Sequence, residues 1–320
     1  MNIAILEGYV CNPGDLSWEA FDELGSVTVY ERTPREALRD RMAGVDIAVA
    51  TKVIWDKQAL DWSPDLKLIA LASTGYNVVD MAEVRRRGVA VRNVPAYSTP
   101  DVAQMTFALI LELALNVGDH TRRVLDGEWV RARDFCFYSS PLIELAGKTI
   151  GIVGMGSIGQ AVARIARAFD MNVLFCGRTP KPQLEGPGVR QTTLDELLKA
   201  ADIVSLHVPA TPETNRMIDA GRMASMKDGA LLVNTARGTL VDEQAVVDAL
   251  RAGKLAGFGA DVVAKEPMAP DNPLFCAKGL NIALTPHIAW GTREARSRLI
   301  DEVAENIRAF LAGAPRNVVE

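Results

Sequence analysis

Cysteine and histidine are scarce in this sequence, which limits the chemistry available to it. Its 320 residues include only three histidines and four cysteines. The cysteines are scattered, without the spacing of a metal site: Cys11, Cys136, Cys176 and Cys276. This pattern predicts reduced thiols that serve as packing residues, no bound metal ion and a cytoplasmic location.

Long apolar runs and basic clusters are also missing. The most apolar run, 107–115, is interrupted by Glu112 and is too short to span a bilayer. Residues 1–7 carry no basic side chain ahead of an apolar stretch, so they fit a first strand and not a signal peptide. The net charge is −5 and no basic block appears, which predicts neither a membrane nor a nucleic-acid partner.

Two α/β patterns follow one another along the chain, which is long enough for two domains. Hydrophobic residues make up 48% of the chain, as expected of a soluble globular protein. The first set of predicted strands covers 3–6, 27–30, 47–50, 68–72 and 89–91. The second covers 149–153, 173–176, 203–206, 230–234, 257–261 and 282–284, with helices at 158–169, 194–200 and 242–252. Alternation of this kind predicts parallel sheets covered on both faces.

Two further helices are predicted outside this alternation. One runs from about 100 to 126, with Pro100 in its first turn and Gly127 after its end. The other runs from about 292 to 312, and we expect it to return to the first domain.

A G-x-G-x-x-G motif lies between a predicted strand and a predicted helix. It is formed by Gly154, Gly156 and Gly159. The glycines allow a tight turn, a close approach of a pyrophosphate and close helix packing, and the first N–H groups of the helix, at Ser157 and Ile158, face the anion. The order of strand, turn and helix predicts a dinucleotide site. The alternative is a glycine-rich turn in an unrelated α/β protein.

The end of the next strand bears on the choice of cofactor. NAD enzymes usually place an acidic residue there, but this chain has Gly177 followed by Arg178, Thr179 and Lys181. Arg178 can pair bidentately with a 2′-phosphate, and the other two side chains can add to it. We therefore predict NADP, with NAD still possible. The alternative is that Arg178 is solvated, or stacks on adenine without discriminating.

Ligands of open parallel sheets bind outside the carboxyl ends of the strands. The polar residues and glycines at these ends are Arg237, Asp261, Glu266, His287, His207, Ser73, Thr74 and Gly75. Hydride transfer to a carbonyl makes an alkoxide, which needs a proton donor, and histidine suits that role. His287 would donate the proton, Glu266 would orient it, and Arg237 would hold a substrate carboxylate. Alternatively, Arg237 and Glu266 form a surface ion pair and His287 is a loop histidine, whereas His120 is predicted to be structural.

Four ordered segments resemble the D-2-hydroxyacid dehydrogenase family. They are GIVGMGSIG at 151–159, NTARGTLVD at 234–242, GADVVAKEP at 259–267 and LTPHIAW at 284–290. The resemblance covers essentially the whole chain. Within the family, the chain is most similar to the glycerate dehydrogenase and hydroxypyruvate (glyoxylate) reductase group. The supporting segments lie at 72–80, 96–104, 127–129, 134–137 and 141–145.

The resemblance implies a role for each candidate residue. His287 would exchange the proton, Glu266 would hydrogen-bond to its other ring nitrogen, and Arg237 would bind the carboxylate and polarise the keto oxygen. Backbone N–H groups around Thr74 and Gly75, next to Ser73, would hold the substrate carboxylate. Asp261 would contact the nicotinamide carboxamide and His207 would lie near the nicotinamide, while Pro209, Thr235 and Ala236 would line the cofactor site.

The resemblance also implies the architecture. We expect a flavodoxin-like substrate domain, 1–98 plus 288–320, and a Rossmann NAD(P) domain, 99–287, both doubly wound parallel sheets with a cleft between them. Family members are usually dimers built through the connecting helix, which fits an apolar stripe of Phe107, Ile110, Leu111 and Ala114. The alternative is that this stripe packs inside its own subunit. The chain departs from the common family pattern at Gly177–Arg178, which favours NADP, and at Tyr76.

These expectations favour a small 2-ketoacid reductase acting on hydroxypyruvate or glyoxylate and giving D-glycerate or glycolate. A phosphoglycerate- or phosphite-type oxidoreductase is the alternative within the family. Outside it, a dinucleotide-sensing binding protein would keep the same residues. An S-adenosylmethionine-dependent transferase would share the glycine turn but leave the Arg, Glu and His without a joint purpose.

Overall fold

The computed structural model describes residues 1–319 and divides into two compact units. One unit contains Met1–Ser98 and the chain from Trp290 onward, and the other contains Thr99–Ala289. The assignment of substrate and cofactor to these units remains a prediction.

The first unit is built on a five-stranded parallel sheet. Its strands are β1 (Asn2–Ile5), β2 (Ser26–Val29), β3 (Ile47–Ala50), β4 (Leu68–Leu71) and β5 (Ala90–Arg92), in the order β2-β1-β3-β4-β5. Its first helices are α1 (Gly8–Cys11), α2 (Arg35–Arg41), α3 (Lys57–Asp61) and α4 (Met81–Arg87). Strands β3 and β4 are apolar and buried throughout, as expected of central parallel strands covered on both faces.

The second unit contains a seven-stranded parallel sheet in the order β12-β11-β10-β9-β6-β7-β8. Its elements are α5 (Thr99–Leu115), α6 (Val117–Leu125), β6 (Thr149–Val153), α7 (Ser157–Ala168), β7 (Asn172–Cys176), β8 (Val189–Gln191), α8 (Leu194–Ala200), β9 (Ile203–Leu206), α9 (Ala220–Ser225), β10 (Ala230–Asn234), α10 (Glu243–Arg251), β11 (Leu255–Ala260) and β12 (Ile282–Leu284). Strand β6 pairs with β7 on one side and β9 on the other, so the strand order reverses at β6. The predicted α/β class with two parallel sheets is confirmed.

The last helix, α11 (Arg293–Leu311), lies on the first sheet. It buries Leu299, Ile300, Val303 and Ile307 in a core shared with β1, β3 and β4. Short 3-10 turns lie at Glu19–Phe21, Trp129–Arg131, Pro182–Leu184, Gly238–Leu240 and Pro273–Cys276.

The connecting helix differs from its prediction, because it is two helices and not one. Asn116 adopts a left-handed backbone with φ of 50° between α5 and α6, which meet at 57°. Asparagine tolerates this conformation better than most residues, and the break is local. No single helix in residues 1–319 is long and apolar enough to cross a membrane. The bent pair of α5 and α6 together has the length and the apolar composition for it.

The apolar stripe of α5 is not the dimer surface that the sequence suggested. Phe107, Ile110 and Ala114 are buried in the core of the second unit and Leu111 packs against it. Phe107 also stacks on Phe169 with ring centroids 5.5 Å apart. The alternative, packing inside the subunit, is therefore what the structure shows for this stripe.

Two elements of the second unit were not predicted from the sequence, and several others begin or end one or two residues away from their predicted bounds. β8 has three residues and α9 has six, too short for a periodic pattern to emerge. β11 begins at Leu255, two residues earlier than predicted, and ends at Ala260.

All four cysteines are free, but only two are buried. Burial raises the pKa of Cys11 and of Cys176 to about 11, which keeps both as neutral packing groups. Cys276 is exposed and Cys136 half-buried, so the prediction that all four are packing residues is wrong for Cys276. Within residues 1–319, no group of three or more His, Cys, Asp or Glu side chains is arranged to hold a metal ion.

Candidate active site

The glycine turn after β6 has the conformation that its three glycines were predicted to serve. Gly154 has a φ of +101°, and a Cβ there would lie 2.3 Å from the carbonyl oxygen of His207. A Cβ on Gly159 would lie 2.1 Å from the carbonyl oxygen of Gly154, so α7 starts in contact with the turn. A Cβ on Gly156 would meet nothing within 4 Å, so the protein leaves open space above this residue.

Helix α7 presents an anion-binding end at this turn. Its N-cap residue, Gly156, has no side chain that could cap the first N–H groups, at Ser157 and Ile158. The positive end of the helix dipole adds to these donors. Open space above Gly156 and uncapped N–H groups fit the pyrophosphate of a dinucleotide.

The segment after β7 brings Lys181 to the same turn. Arg178 and Thr179 are exposed, whereas the Lys181 ammonium donates to the carbonyl oxygen of Met155 at 2.8 Å. The pKa of Glu213 is lowered chiefly by a hydrogen bond from Thr211 and also by the charge of Arg178. Glu213 could not be predicted from the sequence, because it lies in a connection that carries no recognisable motif.

His207, at the end of β9, is held neutral. One of its ring nitrogens, Nε2, lies 2.8 Å from the hydroxyl of Ser205. Desolvation of the imidazole lowers the pKa of His207 to about 4. A histidine that is neutral near pH 7 has no proton to donate as an imidazolium, so the acid–base role goes elsewhere.

The residues predicted to line the cofactor site lie on two connections of the second unit. Thr235 is buried and its hydroxyl lies 2.9 Å from that of Thr106. Ala236 donates its N–H to the side chain of Asn234. Pro209 is exposed, and its carbonyl oxygen accepts a hydrogen bond from Thr214 at 2.8 Å.

Arg237 follows β10 on a closely packed turn. Asn234 donates from its side chain to the carbonyl oxygen of Arg237 at 2.8 Å, and a Cβ on Gly238 would lie 1.9 Å from the carbonyl carbon of Val263. Only glycine therefore fits after the arginine. The guanidinium is exposed and donates to the carbonyl oxygen of Ala236 at 2.7 Å. This contact leaves most of its five N–H donors for an anion.

His287 and Glu266 form a hydrogen-bonded pair. Nδ1 of His287 lies 2.7 Å from Oε2 of Glu266, and both side chains are about a quarter exposed, at 27% and 29%. His287 has a left-handed backbone with φ of 58°, and its N–H donates to the carbonyl oxygen of Asp261 at 2.7 Å. The hydrogen bond to Glu266 therefore fixes the orientation of the His287 ring through Nδ1.

Asp261 braces the loop that carries His287. Its side chain is 1% exposed and accepts hydrogen bonds from the Thr285 hydroxyl at 2.5 Å and from the N–H groups of Ile288 and Ala289 at 2.9 and 2.8 Å. Desolvation raises the pKa of Asp261, and these three donors oppose that rise. Thr285 was missed by the sequence analysis.

Arg237, Asp261 and His287 thus follow β10, β11 and β12, which are neighbours in one parallel sheet. The carboxyl ends of such strands share one edge, so the three residues lie on the same side of the unit.

The loop after β4 in the first unit uses its own side chains to hold its shape. The hydroxyl of Ser73 donates to the carbonyl oxygen of Gly75 at 2.7 Å, and that of Thr74 to the carbonyl oxygen of Val94 at 2.8 Å. Asn93 donates from its side chain to the carbonyl oxygen of Thr74. Tyr76 beside them is exposed. What this loop can offer a ligand is its backbone N–H groups.

Comparison with known proteins identifies the family. Residues 107–289 match the model of the D-isomer specific 2-hydroxyacid dehydrogenase, NAD binding domain. The chain belongs to the D-isomer specific 2-hydroxyacid dehydrogenase family. It is therefore a 2-hydroxyacid dehydrogenase with an NAD(P)-binding domain, as the four motifs predicted.

Two relatives are similar over most of their length. A hydroxypyruvate reductase of Blautia hydrogenotrophica is 42% identical, over 100% of this chain and 99% of the relative. A glycerate dehydrogenase of Methylorubrum extorquens is 40% identical, over 90% of this chain and 89% of the relative.

Two solved structures share the fold and differ in cofactor. An acyclic imino acid reductase (Bsp5) in complex with NADPH and D-Arg is 31% identical with a TM-score of 0.85, over 100% of both chains. A D-lactate dehydrogenase from Aquifex aeolicus, complexed with NAD and lactic acid, is also 31% identical with a TM-score of 0.85, over 98% of this chain and 96% of that one. Likeness in fold therefore does not decide between the two cofactors.

Proposed function

We propose that this enzyme reduces hydroxypyruvate or glyoxylate to D-glycerate or glycolate, with NADPH preferred and His287 as the proton donor. The observation that carries the proposal is the hydrogen bond between His287 and Glu266 at the edge where Arg237 also lies. Relatives about 40% identical are a hydroxypyruvate reductase and a glycerate dehydrogenase, which supports the substrate class.

The proton comes from His287. The reduced nicotinamide, when bound, supplies a hydride to the keto carbon. The oxygen of that carbonyl gains negative charge, and the protonated imidazole gives it a proton from Nε2. The carboxylate of Glu266 stabilises the imidazolium before the transfer and fixes the ring orientation through Nδ1. In the oxidative direction, the neutral ring accepts the proton from the hydroxyl group.

Arg237 binds and polarises the substrate. Its planar guanidinium matches a carboxylate with two parallel hydrogen bonds, and a remaining N–H can reach the keto oxygen. As the family resemblance implies, the backbone N–H groups of Thr74 and Gly75, next to Ser73, are also proposed as substrate ligands. Asp261 keeps the loop of His287 in place and contacts the carboxamide group of the nicotinamide. His207, Pro209, Thr235 and Ala236 line the cofactor site.

The preference for NADPH rests on Arg178, Thr179 and Lys181. The end of β7 has no carboxylate that would repel a 2′-phosphate, and two cations follow it. Glu213 lies close enough to Arg178 to feel its charge and reduces the positive potential there. Arg178→Ala should raise the KM for NADPH roughly ten- to a hundredfold, by loss of charge-assisted hydrogen bonds, and the KM for NADH far less. Equal effects on both cofactors would remove Arg178 from phosphate binding.

The reaction itself is tested by the loss of nicotinamide absorbance with NADPH and with NADH. Each cofactor is offered hydroxypyruvate, glyoxylate, pyruvate and 3-phosphohydroxypyruvate. Fast oxidation of NADPH with either of the first two is the expected result. Turnover with NADH alone would support the proposed reaction and contradict the proposed preference for NADPH. Exclusive use of 3-phosphohydroxypyruvate would point to the phosphoglycerate type.

We also propose a homodimer, formed through α6 and the chain that follows it. Several large apolar side chains are exposed there, including Leu125, Val130 and Phe135 at 82%, 88% and 89%. A second copy is the partner that the family resemblance implies. Sedimentation velocity should show a dimer, and Val130→Asp with Phe135→Asp should give a monomer. Phe275→Asp, an exposed apolar residue elsewhere, is the control; a monomeric unmodified chain would contradict the proposal.

A further inference from the structure

The connection between β7 and β8 carries the proposed 2′-phosphate ligands and is tied down by Gln191. Gln191 is the last residue of β8 and stands in register with Phe175 of β7. Its side-chain oxygen accepts the backbone N–H of Lys181 at 2.7 Å, and its side-chain nitrogen donates to the carbonyl oxygen of Thr179 at 3.4 Å. One amide therefore holds the backbone on both sides of Pro180.

The chemistry of the partners fixes which way this amide points. The N–H of Lys181 only donates and the carbonyl of Thr179 only accepts, so oxygen and nitrogen of Gln191 have one matching arrangement. The backbone N–H of Gln191 donates in turn to Oε1 of Glu185 at 2.8 Å, which anchors the end of β8. A side chain that must both accept and donate at this point cannot be replaced by an acid or by an apolar residue without losing one contact.

The tether reaches the dinucleotide turn through Lys181. With its backbone held by Gln191, Lys181 extends to the carbonyl oxygen of Met155, between Gly154 and Gly156. A lysine side chain loses considerable rotamer freedom when it is ordered, so a fixed backbone lowers the cost of placing the ammonium. Gln191, Lys181 and Met155 thus form a chain of contacts from the edge strand to the glycine turn.

We propose that Gln191 is a positioning residue that sets the preference for NADPH over NADH. Gln191 acts through Thr179 and Lys181. The inference therefore rests on the proposed role of these two residues in binding the 2′-phosphate. The 2′-phosphate is the only chemical difference between the two cofactors. Loosening the segment that binds this group therefore weakens NADPH binding and leaves NADH binding nearly unchanged.

Calorimetric titration of the full chain with NADPH and with NADH tests the proposal. Gln191→Ala should raise the Kd for NADPH roughly five- to twentyfold and change the Kd for NADH by less than about twofold, because two tethering hydrogen bonds are lost. The KM for NADPH should rise in parallel while kcat at saturation stays the same. Gln183→Ala, which removes an exposed glutamine from the same connection, should change neither Kd.

A second variant separates the two hydrogen bonds. Gln191→Glu keeps the acceptor for Lys181, removes the donor to Thr179 and adds a negative charge near the phosphate ligands. It should weaken NADPH binding more than Gln191→Ala does and leave NADH binding nearly unchanged. This variant also serves if Gln191→Ala does not fold.

Each contrary result has a distinct meaning. An unmodified enzyme that binds NADH as tightly as NADPH would overturn the proposed cofactor preference, and the role of Gln191 with it. An enzyme that prefers NADPH and keeps this preference in both Gln191 variants would overturn the role of Gln191 alone. Equal losses for both cofactors would show that the tether only stabilises the fold.

Discussion

At the scale of single residues, the candidate site contains two histidines with different surroundings. His287 is paired with the Glu266 carboxylate, whereas His207 is hydrogen-bonded to the Ser205 hydroxyl and desolvation lowers its pKa to about 4. With its pKa lowered to about 4, His207 has no imidazolium proton to donate at neutral pH. Position at a strand end is the same for both, so only the environment separates them.

Removal of the His287 imidazole should abolish proton transfer and spare the cofactor site. For His287→Ala we expect kcat to fall by about 10²–10⁴-fold, the usual contribution of a general acid. The Kd for NADPH, measured by fluorescence titration, should change little because the glycine turn is untouched. Near-normal turnover would remove His287 from the mechanism.

His207 should make the fold sensitive to acid. Its pKa is lowered to about 4 in the folded chain, so between its ordinary value and pH 4 the unfolded chain binds a proton that the folded chain does not. Stability is therefore fully present above the unfolded pKa and is lost as pH falls through this window, with a slope of up to about 1.4 kcal/mol per pH unit.

Urea unfolding at several pH values between neutral and about 4 measures this slope. His207→Gln cannot titrate and keeps a polar partner for Ser205, so it should show a shallower loss of stability. An unchanged slope would mean that other groups account for the acid sensitivity.

At the scale of elements, the contact between α7 and the glycine turn combines stability with binding. A Cβ on Gly159 would collide with the carbonyl oxygen of Gly154, whereas a Cβ on Gly156 would enter open space. The two glycines therefore serve different ends, although the motif places them three residues apart.

Alanine at each position should separate these roles. Gly159→Ala should lower the free energy of unfolding by about 1–3 kcal/mol, the usual cost of overpacking, and also weaken dinucleotide binding. Gly156→Ala has a compatible backbone, with φ of −78°, and should weaken binding with little loss of stability. Thermal melts and NADPH titrations of both variants check this. Similar stability losses in both would contradict the assignment.

At the scale of the whole molecule, the chain forms two compact units, and only Thr99–Ala289 contains the glycine turn. Ligand that binds the folded state alone stabilises it by about 2.7 kcal/mol at a hundred times its Kd. With NADPH and no ketoacid, slower hydrogen exchange should be concentrated in this unit, above all at the turn and the β7–β8 connection. If hydrogen exchange slowed only in the other unit, the assignment of the cofactor to Thr99–Ala289 would be wrong.

The sequence by itself determined the parallel strands, the glycine turn and the list of residues at strand ends. Each of these follows from a local pattern: apolar runs, fixed glycine spacing and a polar residue after a strand. The family followed from four such patterns in order. The pairing of His287 with Glu266 could be proposed because both residue types suit the same chemistry.

Only the tertiary structure decided what depends on contacts between distant residues. Three such contacts are the burial of the α5 stripe, the hydrogen bond between Thr285 and Asp261, and the hydrogen bond between Lys181 and Gln191. Each joins parts of the chain that no sequence periodicity connects. The break at Asn116 and the short strand β8 were also not predicted from the sequence. One left-handed residue, or three extended residues, leave too short a pattern to detect. Local propensity specifies elements, whereas packing between them specifies where each side chain points.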